Sequence, residues 1–268
     1  MAKRAVLAVH AHPDDIEFMM AGTLLLLGEA GYDLHYMNVA NGCCGSMEEG
    51  RTQTAARRLD EAKEAATALG AAFHPPITND LEIFYGPQLL ARLAAVIRDV
   101  QPDILLVPSP QDYMEDHVNA CRLAVTAAFT RGMPNYATEP PRDVYAKEVT
   151  IYHALPWGLR DPLRRKITAG LYVDVSSVML KKRAALACHR SQKEWLDASQ
   201  GLDSYLKTME DMALAVGQLS KRFEYAEGWR RHLHLGYCAE SADPLRDALS
   251  DKILVSAEYE AGLDYEGA

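Results

Sequence analysis

The chain has 268 residues, 49% hydrophobic and 24% charged, which is enough apolar material for a full core and excludes a disordered, collagen-like or coiled-coil protein. Its 28 Lys and Arg stand against 37 Asp and Glu, a net charge of −9, which argues against general nucleic-acid or anionic-membrane binding, because counterion release needs clustered cations. The longest apolar stretch, residues 18–27, is interrupted by Gly22 and Thr23 and falls far short of the ~20 residues of a membrane span.

Residues 1–4 lead straight into a strand-like segment with no apolar leader, so the expectation is a cytoplasmic protein. In chain order, residues 5–9 read as a buried strand and 18–31 as a helix closed by Gly31, with a second strand at 33–39. An Ala-rich helix over 51–69 stops at Gly70, a second helix covers 88–100, and 104–107 is a short apolar strand before a helix at 117–130. Pro134, Pro140 and Pro141 mark a loop, after which strands are expected at 149–152 and 171–175 and helices at 177–190 and 192–218. The alternation predicts one α/β domain, a Rossmann-like, mostly parallel sheet flanked by helices. Its core would span about 1–132 and a small C-terminal appendage about 145–240, with an acidic, loosely ordered tail at 241–268. The five cysteines include no CxxC pair, so no disulfide framework is expected; adjacent Cys43 and Cys44 read as loop thiols, with a redox or metal pair as the alternative.

The sharpest feature is Ala11-His12-Pro13-Asp14-Asp15-Ile16-Glu17, directly after the first strand. Ligands of open parallel sheets bind at the carboxyl ends of strands. One tight turn can aim His12 and Asp15, three apart, at one ion, and imidazole with carboxylate suits zinc. A third ligand should come from another strand end, and His117 opens the helix that follows strand 104–107. His12, Asp15 and His117 would leave a position open for water, which is the catalytic pattern.

AHPDDIE after the first strand, with Asp116-His117 after a later one, resembles the PIG-L/LmbE-like family of zinc-dependent de-N-acetylases. The resemblance runs through roughly the first 130 residues and implies a deacetylase of N-acetylated amino sugars or glycoconjugates. It makes His12, Asp15 and His117 the ligands of one Zn2+ per chain, and Asp14 the general base. Other divalent transition metals would suit the same ligands. It implies a small-molecule amino-sugar substrate and is compatible with a homo-oligomer. Arg58 in an RxxE spacing and Asp80 after the third strand resemble the family's substrate contacts; the alternatives are a surface Arg paired with Glu61 or Glu64, and a turn residue.

Many family members read HPDH where this chain has Met114-Glu115-Asp116-His117, and methionine cannot donate the hydrogen bond ascribed to that first His. Tyr113, His153 and His10 are the candidates to replace it, with His10 read chiefly as strand packing. Asp116 would orient an imidazole from behind, or cap the helix. Glu17 reads as a carboxylate bonded to loop amides, and His189 in the segment His189-Arg190-Ser191-Gln192 as a structural residue. Two other readings stay open: an amidase of a non-sugar or thiol-conjugate amide at the same metal site, and a catalytically weak carbohydrate-binding module.

Overall fold

The computed structural model describes residues 4–194 and 204–263. Eight strands form one sheet in the order β3-β2-β1-β4-β5-β7-β6-β8. These are β1 (Ala5–His10), β2 (Asp33–Asn38), β3 (Ala72–His74), β4 (Ile104–Val107), β5 (Thr150–Ala154), β6 (Leu171–Asp174), β7 (Ala226–Arg231) and β8 (Ile253–Val255). The first five pair in parallel, and β7, β6 and β8 add antiparallel strands beyond β5. The mostly parallel α/β sheet expected from the alternation is therefore present.

The period of two along the strands builds the core on both faces. Val6 and Ala8 of β1, Tyr36 of β2 and Leu106 of β4 face one apolar layer, while Leu7, Val9, Met37 and Leu105 face the other. The first layer is completed by α1 (Asp15–Met19), α2 (Ala21–Glu29), α3 (Arg51–Leu69) and α6 (Met179–Leu186), and the second by α4 (Pro87–Val100) and α5 (Glu115–Phe129). The continuous helix expected over 18–31 breaks at Met20, between α1 and α2. Buried Glu227 of β7 caps the start of α2 from across the chain: its two oxygens accept the amides of Gly22 and Thr23 at 2.8 and 2.7 Å, and Lys182 neutralises it. Among the described residues, no helix is long and apolar enough to cross a membrane.

The segment read as an appendage supplies β6 and β7, which continue the main sheet. The last described stretch is likewise built into the fold and corrects the reading of a loose tail. It contains α8 (Pro244–Ala248), β8 paired with β6, and α9 (Ala257–Leu263), and Leu245 is fully buried in the first apolar layer. Residues 264–268 lie outside the described residues. The long helix expected over 192–218 falls partly outside them too; its described part is α7 (Ser204–Ser220).

The chain leaves β1 toward β2 and β3, then returns to lay β4 on the other side of β1. The crevice at the carboxyl ends of β1 and β4 is thus the topological switch point, where open α/β sheets bind ligands.

Candidate metal centre and cleft

Both expected motifs meet at this crevice. His10 ends β1, Asp14 and Asp15 follow in a tight turn into α1, and His117 lies in the first turn of α5. Asp14 adopts φ 91° and ψ −26°, a left-handed conformation that is strained for a residue with a Cβ. That turn separates the two neighbouring carboxylates: Asp15 points back toward β1 and α5, and Asp14 toward α3 and α7.

Three imidazole nitrogens converge on one oxygen, Asp15 Oδ2: His10 Nδ1 at 2.7 Å, His12 Nδ1 at 3.4 Å and His117 Nε2 at 3.4 Å. The ligand atoms of His10, Asp15 and His117 all lie within 4.8 Å of one another. His12 and His117 are each held from behind by a carboxylate: His12 Nε2 donates to Asp116 Oδ2 at 2.9 Å, and His117 Nδ1 to Asp112 Oδ1 at 3.0 Å. Among the described residues no carboxylate backs the second nitrogen of His10 in this way. Carboxylate–imidazole pairs of this kind fix the ring and leave its other nitrogen for a cation.

The electrostatics match a site built around positive charge. Burial opposes the charged form of His12, yet Asp116 and Asp15 push it up to about 10, and His117 is raised against its burial by Asp15 and Asp112. Burial alone would lift Asp15, but His10 and His117 hold its carboxyl well below the usual range. His10 Nδ1 lies 2.7 Å from Asp15 Oδ2 and 2.9 Å from the Ala11 amide nitrogen, so imidazole nitrogens and a carboxylate oxygen, the donors that zinc and related ions take, meet at one point. The donor set therefore fits a divalent cation.

Asp14 lies beside this cluster with its side chain 16% exposed to the cleft. Tyr205 of α7 donates to Asp14 Oδ2 at 2.8 Å, and Arg58 of α3 approaches the same oxygen at 3.3 Å. Desolvation raises the Asp14 carboxyl above its ordinary value, with Arg58 acting in the opposite direction. Arg58 is buried, so it is not the surface Arg of the alternative reading; it also donates to the Pro13 carbonyl at 2.6 Å. It passes under residues 42–45 because both glycines there leave room: a Cβ on Gly42 would meet its side chain at 2.7 Å and one on Gly45 at 2.5 Å. Asp80 holds the same loop from the other side, accepting the amides of Gly42 at 2.7 Å and Cys44 at 2.8 Å.

Two lobes of one cleft share Asp14, Asp15, Tyr113 and His117. The aromatic lobe, about 200 Å³, is walled by Phe18, Trp157 and Tyr205. The polar lobe, about 390 Å³, is lined by His12, Cys44, Arg58, Asp80, Met114 and Gln192, among others. Tyr113 stands exposed on the shared lip, edge-on to His117 with ring centroids 5.6 Å apart.

Several expectations need correction. His10 is not mere strand packing but touches Asp15. Asp116 is not the helix cap, a position that Met114 occupies; its carboxylate instead accepts His12 Nε2 and the Leu81 amide. Glu17 is fully buried and faces Tyr36 and His189 rather than loop amides. His153 lies away from the cleft, against His232 at 2.9 Å and the Pro108 carbonyl at 3.1 Å. Asp112, Tyr205, Trp157 and Gln192 join the site without having been singled out. Only Asp112 carried a usable signal, as an acidic residue just past a strand end.

The model of the PIG-L family, described as GlcNAc-PI de-N-acetylase, matches residues 7–129, which contain both motifs. A diacetylchitobiose deacetylase of Thermococcus kodakarensis is 30% identical over 239 residues, covering 85% of this chain and 82% of that protein. The chain belongs to the PIG-L family. The family fold extends to solved structures. A 4-carboxy-2-hydroxymuconate hydratase from Pseudomonas putida superposes with a TM-score of 0.69 at 26% identity, covering 85% of this chain and 95% of that one. An N,N'-diacetylchitobiose deacetylase from Pyrococcus horikoshii reaches a TM-score of 0.72 at 23% identity, covering 91% and 89%, and shares the fold. The chain thus resembles both diacetylchitobiose deacetylases and a hydratase.

Proposed function

We propose that this PIG-L chain is a zinc-dependent N-deacetylase that hydrolyses the acetamide of an N-acetylated amino sugar or glycoconjugate. The observation that carries the reading is the position of Asp14, a carboxylate open to the cleft and fixed by Tyr205 and Arg58 beside the imidazoles gathered on Asp15. In this reading His12, Asp15 and His117 hold the metal, Asp112 and Asp116 orient the two imidazoles, and His10 adds a nitrogen at the same oxygen. A bound Zn2+ supplies Lewis acidity, polarising an acyl carbonyl and making water acidic near neutral pH. Asp14 takes a proton from the attacking water and returns it to the departing amine nitrogen, so that amide and water become acetate and the protonated amine. Its raised carboxyl matches this task, because a base that must also act as an acid works best near the operating pH. Tyr113, on the lip beside His117, is the proposed hydrogen-bond donor to the acyl oxygen in place of the residue missing at Met114. Asp80, Arg58 and Gln192 give the polar lobe its affinity for sugar hydroxyls.

A second reading, hydration of an unsaturated acid, draws on the hydratase relative and on Met114. The charge in the cleft disfavours it. Among the described residues lining the two lobes, Arg58 is the one Arg or Lys, and its guanidinium is already engaged with Asp14 and Pro13. Beyond the metal itself, a substrate with several carboxylates would find no further Arg or Lys there to pair with. Proton NMR of the products decides between them. Free acetate and amino sugar from N-acetylglucosamine or N,N'-diacetylchitobiose support the deacetylase, whereas turnover of a muconate-type acid with no acetate from either sugar establishes the hydratase.

A further inference from the structure

We propose that Cys43, Cys44 and Asp80 form a second metal site, for a soft divalent ion such as Zn2+ or Cd2+, in the wall of the polar lobe. The two sulfurs and a carboxylate oxygen of Asp80 lie within 4.8 Å of one another, and Cys43 Sγ is 3.9 Å from Cys44 Sγ. Two thiolates on one tetrahedral ion, with metal–sulfur bonds of about 2.3 Å, stand about 3.8 Å apart, so the sulfurs already have the spacing of a shared ion. The pair is poorly placed for a disulfide. Neighbouring Cα atoms are about 3.8 Å apart across a trans peptide, below the ~4.4–6.8 Å span of an unstrained bridge.

The surroundings hold the donors ready. Each Asp80 oxygen accepts one amide, from Gly42 or Cys44, which fixes the carboxylate and leaves each oxygen a further lone pair. Arg51 Nε donates to Cys43 Sγ at 3.2 Å while its far end is tied to Glu82, which fixes the position of that sulfur in the wall. Asn41 Oδ1 accepts the Cys43 amide at 3.1 Å, bracing the loop from its other end. Cys43 and Asp80 are buried and Cys44 is exposed to the lobe, so the fourth coordination position opens toward solvent or an incoming ligand. Two thiolates and one carboxylate select against hard ions such as Mg2+ and Ca2+. An ion there would occupy Asp80 and fill the part of the lobe assigned above to sugar hydroxyls, so excess soft metal would compete with substrate.

Fully reduced, metal-free protein titrated with Cd2+ tests the site through thiolate-to-cadmium charge-transfer absorption, which needs no catalysis. The expected result is a saturable band in the wild type, complete within two equivalents because the first site takes up the other ion. It should persist in His117→Ala, where the first site is lost, and be displaced by Zn2+. Cys43→Ser with Cys44→Ser should abolish it. Cys44→Ser alone, at an exposed position that leaves the fold intact, should weaken Cd2+ binding at least about tenfold. No band in the wild type, or a band unchanged by both cysteine variants, overturns the proposal. Failure of the deacetylase assay leaves this readout untouched, so the two proposals fail separately.

Discussion

The hydroxyl of Tyr205 donates to Asp14 Oδ2 at 2.8 Å, joining residues 191 positions apart in the chain. Arg58 meets the same oxygen at 3.3 Å, so one carboxylate edge is fixed from two helices and the other is left to the cleft. If Asp14 is the base, its aim depends on that fixed edge. Tyr205→Phe should therefore lower kcat about tenfold with little change in KM, the loss of one hydrogen bond to a charged group being worth about 1.5 kcal/mol or somewhat more. Asp14→Asn should lower kcat at least about a hundredfold while elemental analysis still finds bound metal. Equal KM and kcat effects in Tyr205→Phe would instead make Tyr205 a substrate contact.

The carboxylates behind the two imidazoles have a separate signature. Asp112→Asn and Asp116→Asn should each weaken metal binding by about 10–100-fold, measured by competition with a chromophoric chelator, without touching the substrate. His12→Ala and His117→Ala should lose the metal more completely than His10→Ala does, because His10 lacks a backing carboxylate. A His10 variant that alone abolishes binding would transfer the ligand role from His12 to His10.

Met114 lines the polar lobe, and its backbone carbonyl accepts the His117 and Val118 amides that open α5. A backbone role survives substitution. Met114→Ala is expected to cost less than about tenfold in kcat/KM, far below the Asp14→Asn effect. A comparable loss would show that the thioether itself contacts the reacting groups.

Two histidine pairs should contribute to the loss of stability in acid. Burial lowers His153 to about 3, and burial together with His35 lowers His74 to about 4. Both lie below the unfolded value of about 6.5, so the unfolded chain takes up protons first as the pH drops. Their stabilising effect is complete above about pH 6.5 and is lost progressively on the way down to the folded values. Melting temperature should fall between pH 6.5 and 4, and His74→Gln should flatten that fall. An identical pH profile in the variant would remove His74 from this role.

Much of the site was legible because it sits where a strand motif and a helix motif must meet. Apolar strands such as Ile104–Val107 gave the parallel sheet, and the sheet fixed where AHPDD and Asp116-His117 converge. Arg58 and Asp80 were found through resemblance, although their contacts differ from simple sugar binding: both also hold the loop at 42–45. Long-range partners left no local trace, which is why Tyr205 and the Glu227 contact with α2 went unseen. His10 was misread because a residue buried inside a strand is ordinarily packing. Asp116 offers two readings in the sequence, orienting an imidazole or capping the helix; its carboxylate accepts from His12, and Met114 holds the cap position. Described residues 241–263 carry several acidic side chains on their exposed side, which masked the apolar Leu245, Leu249 and Ile253 that dock them.

The proposed reaction is hydrolysis of an acetamide in this cleft by Asp14 and a metal held by His12, Asp15 and His117. Acetate release from N,N'-diacetylchitobiose, followed as the metal is removed by a chelator and returned as stoichiometric Zn2+, tests it most directly. Activity should disappear on chelation and return when Zn2+ is restored to His12, Asp15 and His117. Acetate release that persists in fully metal-free protein, or its absence in protein carrying one Zn2+ per chain, would contradict it.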